Sequence, residues 1–261
     1  MVDNIPLSYS EEIKYTNRLL VGRRVFRYKS VPSTQDIALE LASKNTQNGT
    51  AVLAGEQVAG RGRFQRSWKS PLGSSVNLSV VLYMPPEIVA RLSISAAVAV
   101  VRVIKRVTGL DADVKWPNDL RVNGRKVSGI LVEGQMPVKG DGTAILGIGV
   151  NVDWDLSGYP ELAGVATGLV QECGHSILVS DVEEELLNEL DGTCGSRDND
   201  DKIFQEWRQN LDTLGHEVEV RWKDSTERGM AEDVDAGGNL ILRRYDGSVV
   251  TLLAGEITLQ H

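Results

Sequence analysis

Three arginines and a lysine, Arg61, Arg63, Arg66 and Lys69, crowd the stretch AGEQVAGRGRFQRSWKS at residues 54–70. No acidic residue lies between Glu56 and Glu87, although the whole chain carries a net charge of −8. A purely cationic segment in an acidic protein calls for an anion. Arginine presents a planar fork of donors that suits phosphate oxygens. Gly60 and Gly62 let backbone N–H groups approach a ligand and let the segment change shape. A solvated arginine loop is the competing explanation, and RNA-binding tails repeat the Arg-Gly unit where this chain does not. The apolar run at 50–55 leading in, and Trp68 at the far end, favour a phosphate-gripping loop. No Walker A sequence and no complete G-x-G-x-x-G occurs, so a nucleotide here needs another cradle.

A second group sits in VKWPNDLRVNGRKVSGILVEG, residues 114–134. Pro117 sets a turn at the end of a strand, with Asn118 and Asp119 on it. Lys126 follows Asp119 by seven residues, at the start of the next strand. Such a strand–turn–strand unit can aim a carboxylate and an ammonium into one cleft, with Lys115 close by. Taken singly, these lysines read as surface groups and Trp116 as a core anchor; it is the combination that points to a site. Gly129, inside an apolar strand, costs stability unless a ligand or backbone comes close. GIGVN at 147–151 repeats that logic with Gly147 and a terminal Asn151; tight strand packing is the alternative. VPSTQD at 31–36 offers a helix cap, Ser33 or Thr34, whose hydroxyls could equally bind a small polar ligand. His175, His216 and His261 form neither a metal nor a triad pattern.

The elements that position these groups read as α+β. Expected strands cover 25–28, 50–55, 76–84, 113–116, 120–122, 126–133 and 143–151. Ser8 or Ser10 before Glu11 and Glu12 looks like a helix start, and 36–44 fits a helix. A long alanine-rich helix over 87–108, apolar around most of its circumference, belongs in the core. Ser180 and Glu183 match a capping box before a helix through Leu190. A polar loop at 192–201 precedes a further helix at 203–214. Hairpin signals fall at Asn123-Gly124 and at 139–142. Five short strands after Gly215 suggest a small β-barrel and a boundary near Leu214, giving units 1–214 and 215–261.

The 261 residues suit one large domain, or a medium one plus a small one. No run approaches the ~20 apolar residues of a membrane span. The N-terminus lacks the pattern of a secretory signal. Two cysteines, Cys173 and Cys194, point to reduced thiols in the cytoplasm. A pI near 5.0 argues against general nucleic-acid binding.

Taken together and in this order, STQ, GRGRxxRxW, KWPND…RKxxGILVE and GIGVN resemble the biotin–protein ligase family, from about Gly22 to the closing AGEITL. The resemblance implies a catalytic domain like that of class II aminoacyl-tRNA synthetases, a mixed sheet flanked by helices, followed by an SH3-like barrel. It implies two steps. Biotin's carboxylate attacks the α-phosphate of MgATP, giving biotinyl-5′-AMP. A lysine of a biotin carboxyl carrier domain then takes the biotinyl group. ATP, Mg2+ and biotin are the expected co-substrates, with no resident cofactor and no protein metal site. By the same resemblance, Arg61, Gly62 and Arg63 hold biotin and its adenylate, with Gly60 and Trp68 in the same loop. Lys126 and Lys115 face the carboxylate and phosphate. Ser33, Thr34, Gln35 and Gln57 bond the ureido ring and its surroundings. Gly129, Ile130, Leu131 and Gly147 line the slot, Asn151 lies near adenine, and Asp119 receives the incoming lysine.

Two departures stand out. Gln35 occupies a position where the family commonly has asparagine, and Phe64-Gln65 replaces a frequent Arg-Gly. About twenty residues precede the resembling region, too few for a three-helix DNA reader, so a ligase without repressor function is expected. A homodimer is a family expectation. Lipoate or octanoate ligases and transferases share the scaffold and form the alternative.

Overall fold

The computed structural model describes residues 9–89, 91–135, 141–195, 200–222, 225–253 and 255–259. The expectations at Ser8, at Lys139 and Gly140 of the second hairpin, at 196–199 of the polar loop, at Ala254 and at His261 lie outside the described residues.

In chain order the elements are β1 (Glu11–Lys14), β2 (Arg24–Tyr28), α1 (Thr34–Ser43), β3 (Ala51–Ala54), β4 (Gln57–Arg61), β5 (Ser67–Ser70) and β6 (Ser75–Met84). Then come α2 (Pro86–Val89), α3 (Leu92–Thr108), β7 (Asp113–Lys115), β8 (Asp119–Val122), β9 (Arg125–Gln135) and β10 (Gly142–Asn151). Helices α4 (Leu169–Cys173), α5 (Val179–Gly195) and α6 (Asp200–Gln209) follow. The chain finishes with β11 (Glu217–Trp222), β12 (Ser225–Val234), β13 (Leu240–Arg244), β14 (Val249–Leu252) and β15 (Glu256–Leu259).

An eight-stranded sheet runs β1-β2-β3-β6-β10-β9-β8-β7. It is mixed, because β2 and β3 pair in parallel while the other neighbours are antiparallel. The terminal strands form a separate antiparallel sheet, β14-β13-β12-β11-β15. The molecule is therefore α+β, as the strand and helix periodicities imply.

Side-chain alternation decides which face is covered by what. Along β6, Val76, Leu78, Val80 and Leu82 face the core under α3 and α5, while Val81 faces the smaller core under α1. Ala96, Ala97, Val98, Ala99 and Val100 of α3 are all buried, because the helix is wrapped by the sheet on one side and other helices on the other. Gly109, at φ 75°, ends it with its N–H on Lys105 O. Truncating the fully buried Ile104 to alanine would cost about 2–5 kcal/mol.

Four local expectations are corrected. Residues 11–14 form an edge strand, not a helix, because their backbone pairs with Arg24–Arg27 and Ile13 packs on the core. The helix expected over 87–108 is divided into α2 and α3, with Arg91 N–H bonded to Ile88 O at the join. Ser180 lies inside α5 and does not cap it, while Glu183 is used in an ion pair with Arg27. The helix expected to run to Leu214 stops at Gln209; Leu211 instead bridges Val114 at the sheet edge.

Candidate active site

Two rows of small and polar residues cross the centre of the large sheet. Register aligns Asp119, Gly129, Gly149 and Asn77 on β8, β9, β10 and β6. The adjoining row holds Leu131, Gly147 and Ser79. With no side chains on the glycines, the sheet has a trough there, and it forms the bottom of a cavity of about 430 Å³. A methyl group on Gly149 would lie 2.4 Å from the Trp68 ring, and one on Gly147 would lie 2.6 Å from Gln35 Oε1. Close approach, not turn geometry, is what requires glycine at these positions.

One wall is the start of α1. Ser33 caps the helix, its hydroxyl accepting from Gln35 N–H. The buried side chains behind it form a continuous polar floor. Thr34 donates its N–H and hydroxyl to Gln57 Oε1 at 2.8 and 3.1 Å. Gln57 Nε2 donates to Asn77 Oδ1, and Thr34 Oγ1 lies 2.8 Å from Ser79 Oγ, where either hydroxyl can donate to the other in place of its glutamine oxygen. Ser79 donates to Gln35 Oε1, whose amide NH₂ donates to Ile145 O. Burying so many polar atoms is costly unless each is bonded. The network therefore holds fixed donors and acceptors around the cavity.

The second wall is the cationic stretch, which is an ordered hairpin. β4 pairs with β5 around a 3-10 turn at Arg63–Gln65. Gly60 is buried in it, and a Cβ there would meet Trp68 O at 2.6 Å, so its need for glycine is internal to the hairpin. Arg61 reaches across the mouth to Asp36 at 2.8 Å and to Glu133 at 2.9 Å. Arg63 donates to Asn118 Oδ1 at 3.0 Å, and Asn118 is itself fixed to the Ile130 backbone through both its carbonyl and its amide. The Trp68 ring lies over the glycine trough; its indole N–H is buried without a protein partner among the described residues.

The turn after β7 completes the rim. Lys126 Nζ meets Asp119 Oδ1 at 2.6 Å and stands 5.6 Å from the Trp68 ring. Burial, then repulsion from Arg121, holds the Lys115 ammonium below its ordinary range, against the attraction of Asp119 and Asp212. Gly255, Ile257 and Thr258 of the small sheet close the remaining side.

Of the residues singled out in the sequence, Ser33, Thr34, Gln35, Gln57, Arg61, Gly62, Arg63, Trp68, Lys115, Asp119, Lys126, Gly129, Ile130, Leu131 and Gly147 line this one cavity. Gly60 and Asn151 do not. Asn151 is buried at the end of β10, where its NH₂ bonds Thr167 O and its Oδ1 has no protein partner among the described residues. Asn77, Ser79, Asn118, Asp36 and Glu133 were not anticipated as site residues. The signal for the first two is the alternation S-x-N-x-S along 75–79, which puts polar groups on one face of a strand that is otherwise apolar.

The arrangement is a polar-floored slot leading to a rim of ammonium and guanidinium groups. It suits a ligand with a neutral polar head and an acid tail, beside a phosphate. Among the described residues no group of three His, Cys, Asp or Glu could hold a metal ion. No helix among the described residues is long and apolar enough to cross a membrane.

Residues 28–153 match the model of the biotin/lipoate A/B protein ligase family, and residues 213–259 match that of the biotin protein ligase C terminal domain. The chain is 34% identical over 238 residues to the bifunctional ligase/repressor BirA of Bacillus subtilis (strain 168), covering 87% of this chain and 72% of that protein. It is 33% identical over 246 residues to the biotin–[acetyl-CoA-carboxylase] ligase of Paracoccus denitrificans, covering 84% of this chain and 93% of the relative. In structure it resembles a protein from Aquifex aeolicus solved with biotin and ATP, at TM-score 0.74 and 26% identity, over 90% of this chain and 98% of the other.

Proposed function

The chain belongs to the biotin protein ligase family, and on that premise we propose how its cavity carries out the reaction. The enzyme is an ATP-dependent biotin–protein ligase, with biotin and ATP as substrates and a biotin carboxyl carrier as acceptor. The observation that carries the mechanism is the joining of a hydrogen-bonded polar floor to a cationic rim within one slot.

In the first step a carboxylate oxygen of biotin attacks the α-phosphorus of ATP and pyrophosphate leaves. Two anions must meet, so their repulsion has to be offset before attack geometry is reached. Preorganised cations in a water-poor site do this without reorganising during the reaction. Arg61, Lys126 and Lys115 supply that charge in our reading, and Arg63 is aimed by Asn118. Gln57, Thr34, Ser33 and Gln35 hold the neutral ring of biotin, whose body lies over Gly129–Leu131. Mg2+ would enter with the ATP phosphates and offset part of their charge.

In the second step the carrier lysine attacks the acyl carbon and AMP leaves. A free lysine, with a pKa of about 10.4, is mostly protonated at neutral pH. Asp119 is the carboxylate placed to orient the amine and take its proton. In the ligand-free cavity it is neutralised by Lys126; when Lys126 turns to the acyl phosphate, Asp119 becomes free for the acceptor. We place the enzyme in the cytoplasm and expect no nucleic-acid target for so acidic a chain.

The deciding experiment mixes the enzyme with MgATP, biotin and a carrier domain. One added biotinyl mass, blocked when the acceptor lysine is replaced, is the expected result. Incorporation of lipoate in preference to biotin would sink the reading.

A further inference from the structure

The tip of the cationic hairpin is held in an unusual way. Phe64 and Gln65 both have left-handed backbones, at φ 55° and 60°, a region that disfavours residues with a Cβ. Backbone bonds from Arg66 N–H to Arg63 O and from Gly62 N–H to Arg66 O close the turn, and a contact outside it adds to them. Phe64 is exposed on the hairpin, yet its ring meets Trp222 of β11 edge-on, with centroids 5.6 Å apart at 64°. The Arg63 guanidinium also lies 4.9 Å from the Phe64 ring centre. A chain of contacts thus runs from the small sheet through Phe64 to an arginine that lines the cavity.

We propose that Trp222 is a positioning residue for the ligase reaction: it latches the tip of the ligand-gripping hairpin to the small sheet through Phe64 and so keeps Arg63 over the cavity. The inference deepens the ligase reading and rests on it for its effect on the adenylate. Asn118 restrains the charged end of Arg63, and the aromatic pair restrains the backbone that carries it. With the latch open, the strained tip relaxes, and the hairpin retains its ligand less well.

Two measurements on the full chain test this. In the first, enzyme-bound biotinyl-5′-AMP is made from radiolabelled biotin and its release followed. Both W222A and F64A are expected to shorten its residence about fivefold, the scale of a lost aromatic pair. The double variant should be no worse than either single one, and W222F should restore retention. In the second, the ligand-free chain is cut with trypsin; cleavage after Arg63 and Arg66 should quicken in W222A and return towards wild type in W222F. Unchanged cleavage, unchanged residence in W222A, or losses that multiply in the double variant would overturn the latch. So would losses that merely follow the melting temperature and are not restored by W222F. If the wild-type enzyme makes no adenylate, the ligase reading fails, while the cleavage rates still judge the latch.

Discussion

Lys126 and Asp119 face each other across the β8–β9 pair at 2.6 Å, each the other's counter-ion in the ligand-free cavity. Both groups are half-buried, so neither is fully solvated when the other is taken away. In the proposed mechanism the contact would tie the two reaction steps together, the ammonium serving the acid–phosphate encounter and the carboxylate it leaves behind serving the acceptor amine.

Asp119→Asn should therefore separate the steps. Adenylate formation, followed by biotin-dependent ATP–pyrophosphate exchange, should persist. Transfer to the carrier should slow by about 100-fold, within the usual range for general acid–base catalysis. Transfer at the wild-type rate in a rapid-quench assay would remove Asp119 from the mechanism.

Glu133→Gln should strengthen the first step. Arg61 is divided between Asp36 and Glu133, so an entering carboxylate or phosphate has to compete for it. Exposed pairs of this kind contribute about 0.2–1 kcal/mol, so loss of one should lower KM for biotin or ATP by about two- to fivefold at most. An increase in both constants would show that Glu133 assists binding.

Lys115 sets an expectation for pH. Burial and Arg121 place its pKa below that of an ordinary lysine. Its charge is therefore lost as pH rises through that lowered value, before a solvated lysine would lose it. KM for ATP should rise on this alkaline limb. Lys115→Arg keeps its charge throughout this alkaline range and should move the limb upward. A profile measured between about pH 7 and pH 10 that is identical in both enzymes would count against Lys115 as a phosphate contact.

Gly149→Ala should displace Trp68, because the new methyl would lie 2.4 Å from the indole. Overpacking of this kind typically costs 1–3 kcal/mol, so ligand affinity should fall by about tenfold where binding needs the ring in place. Tryptophan emission should shift to longer wavelength as the ring becomes wetter. Gly158→Ala, where a Cβ meets nothing within 4 Å, is the matched control. Equal spectra and equal biotin affinity in the two variants would refute the packing role of Trp68.

Much of this site is legible in the sequence because its signals are local. Pro117, Asn118 and Asp119 mark a turn, Lys126 follows at the start of the next strand, and glycines at 129 and 147 interrupt apolar runs. The partners of Arg61 and Arg63 are less legible. Glu133 and Asn118 meet them only because a hairpin folds over the sheet. Residues 11–14 misled for a related reason. Their acidic start suits a helix, but the open edge of β2 captures their backbone, and long-range pairing outweighs local propensity. Asn151 illustrates the converse. Its place beside glycines suggests a ligand contact, yet it ends the strand below the cavity wall, bonded to Thr167.

Trp116 closes the connection between the two sheets. Its backbone N–H reaches Thr213 and its indole donates to Gly238 O at 2.9 Å, while Gly255 packs beside its ring. The residue next to the Pro117–Asp119 turn is thus seated on the terminal module. Detaching that module would strand a buried indole donor immediately before Pro117. Loss of the tail should be felt as a disturbed reaction centre, and the two sheets should denature together as one cooperative unit.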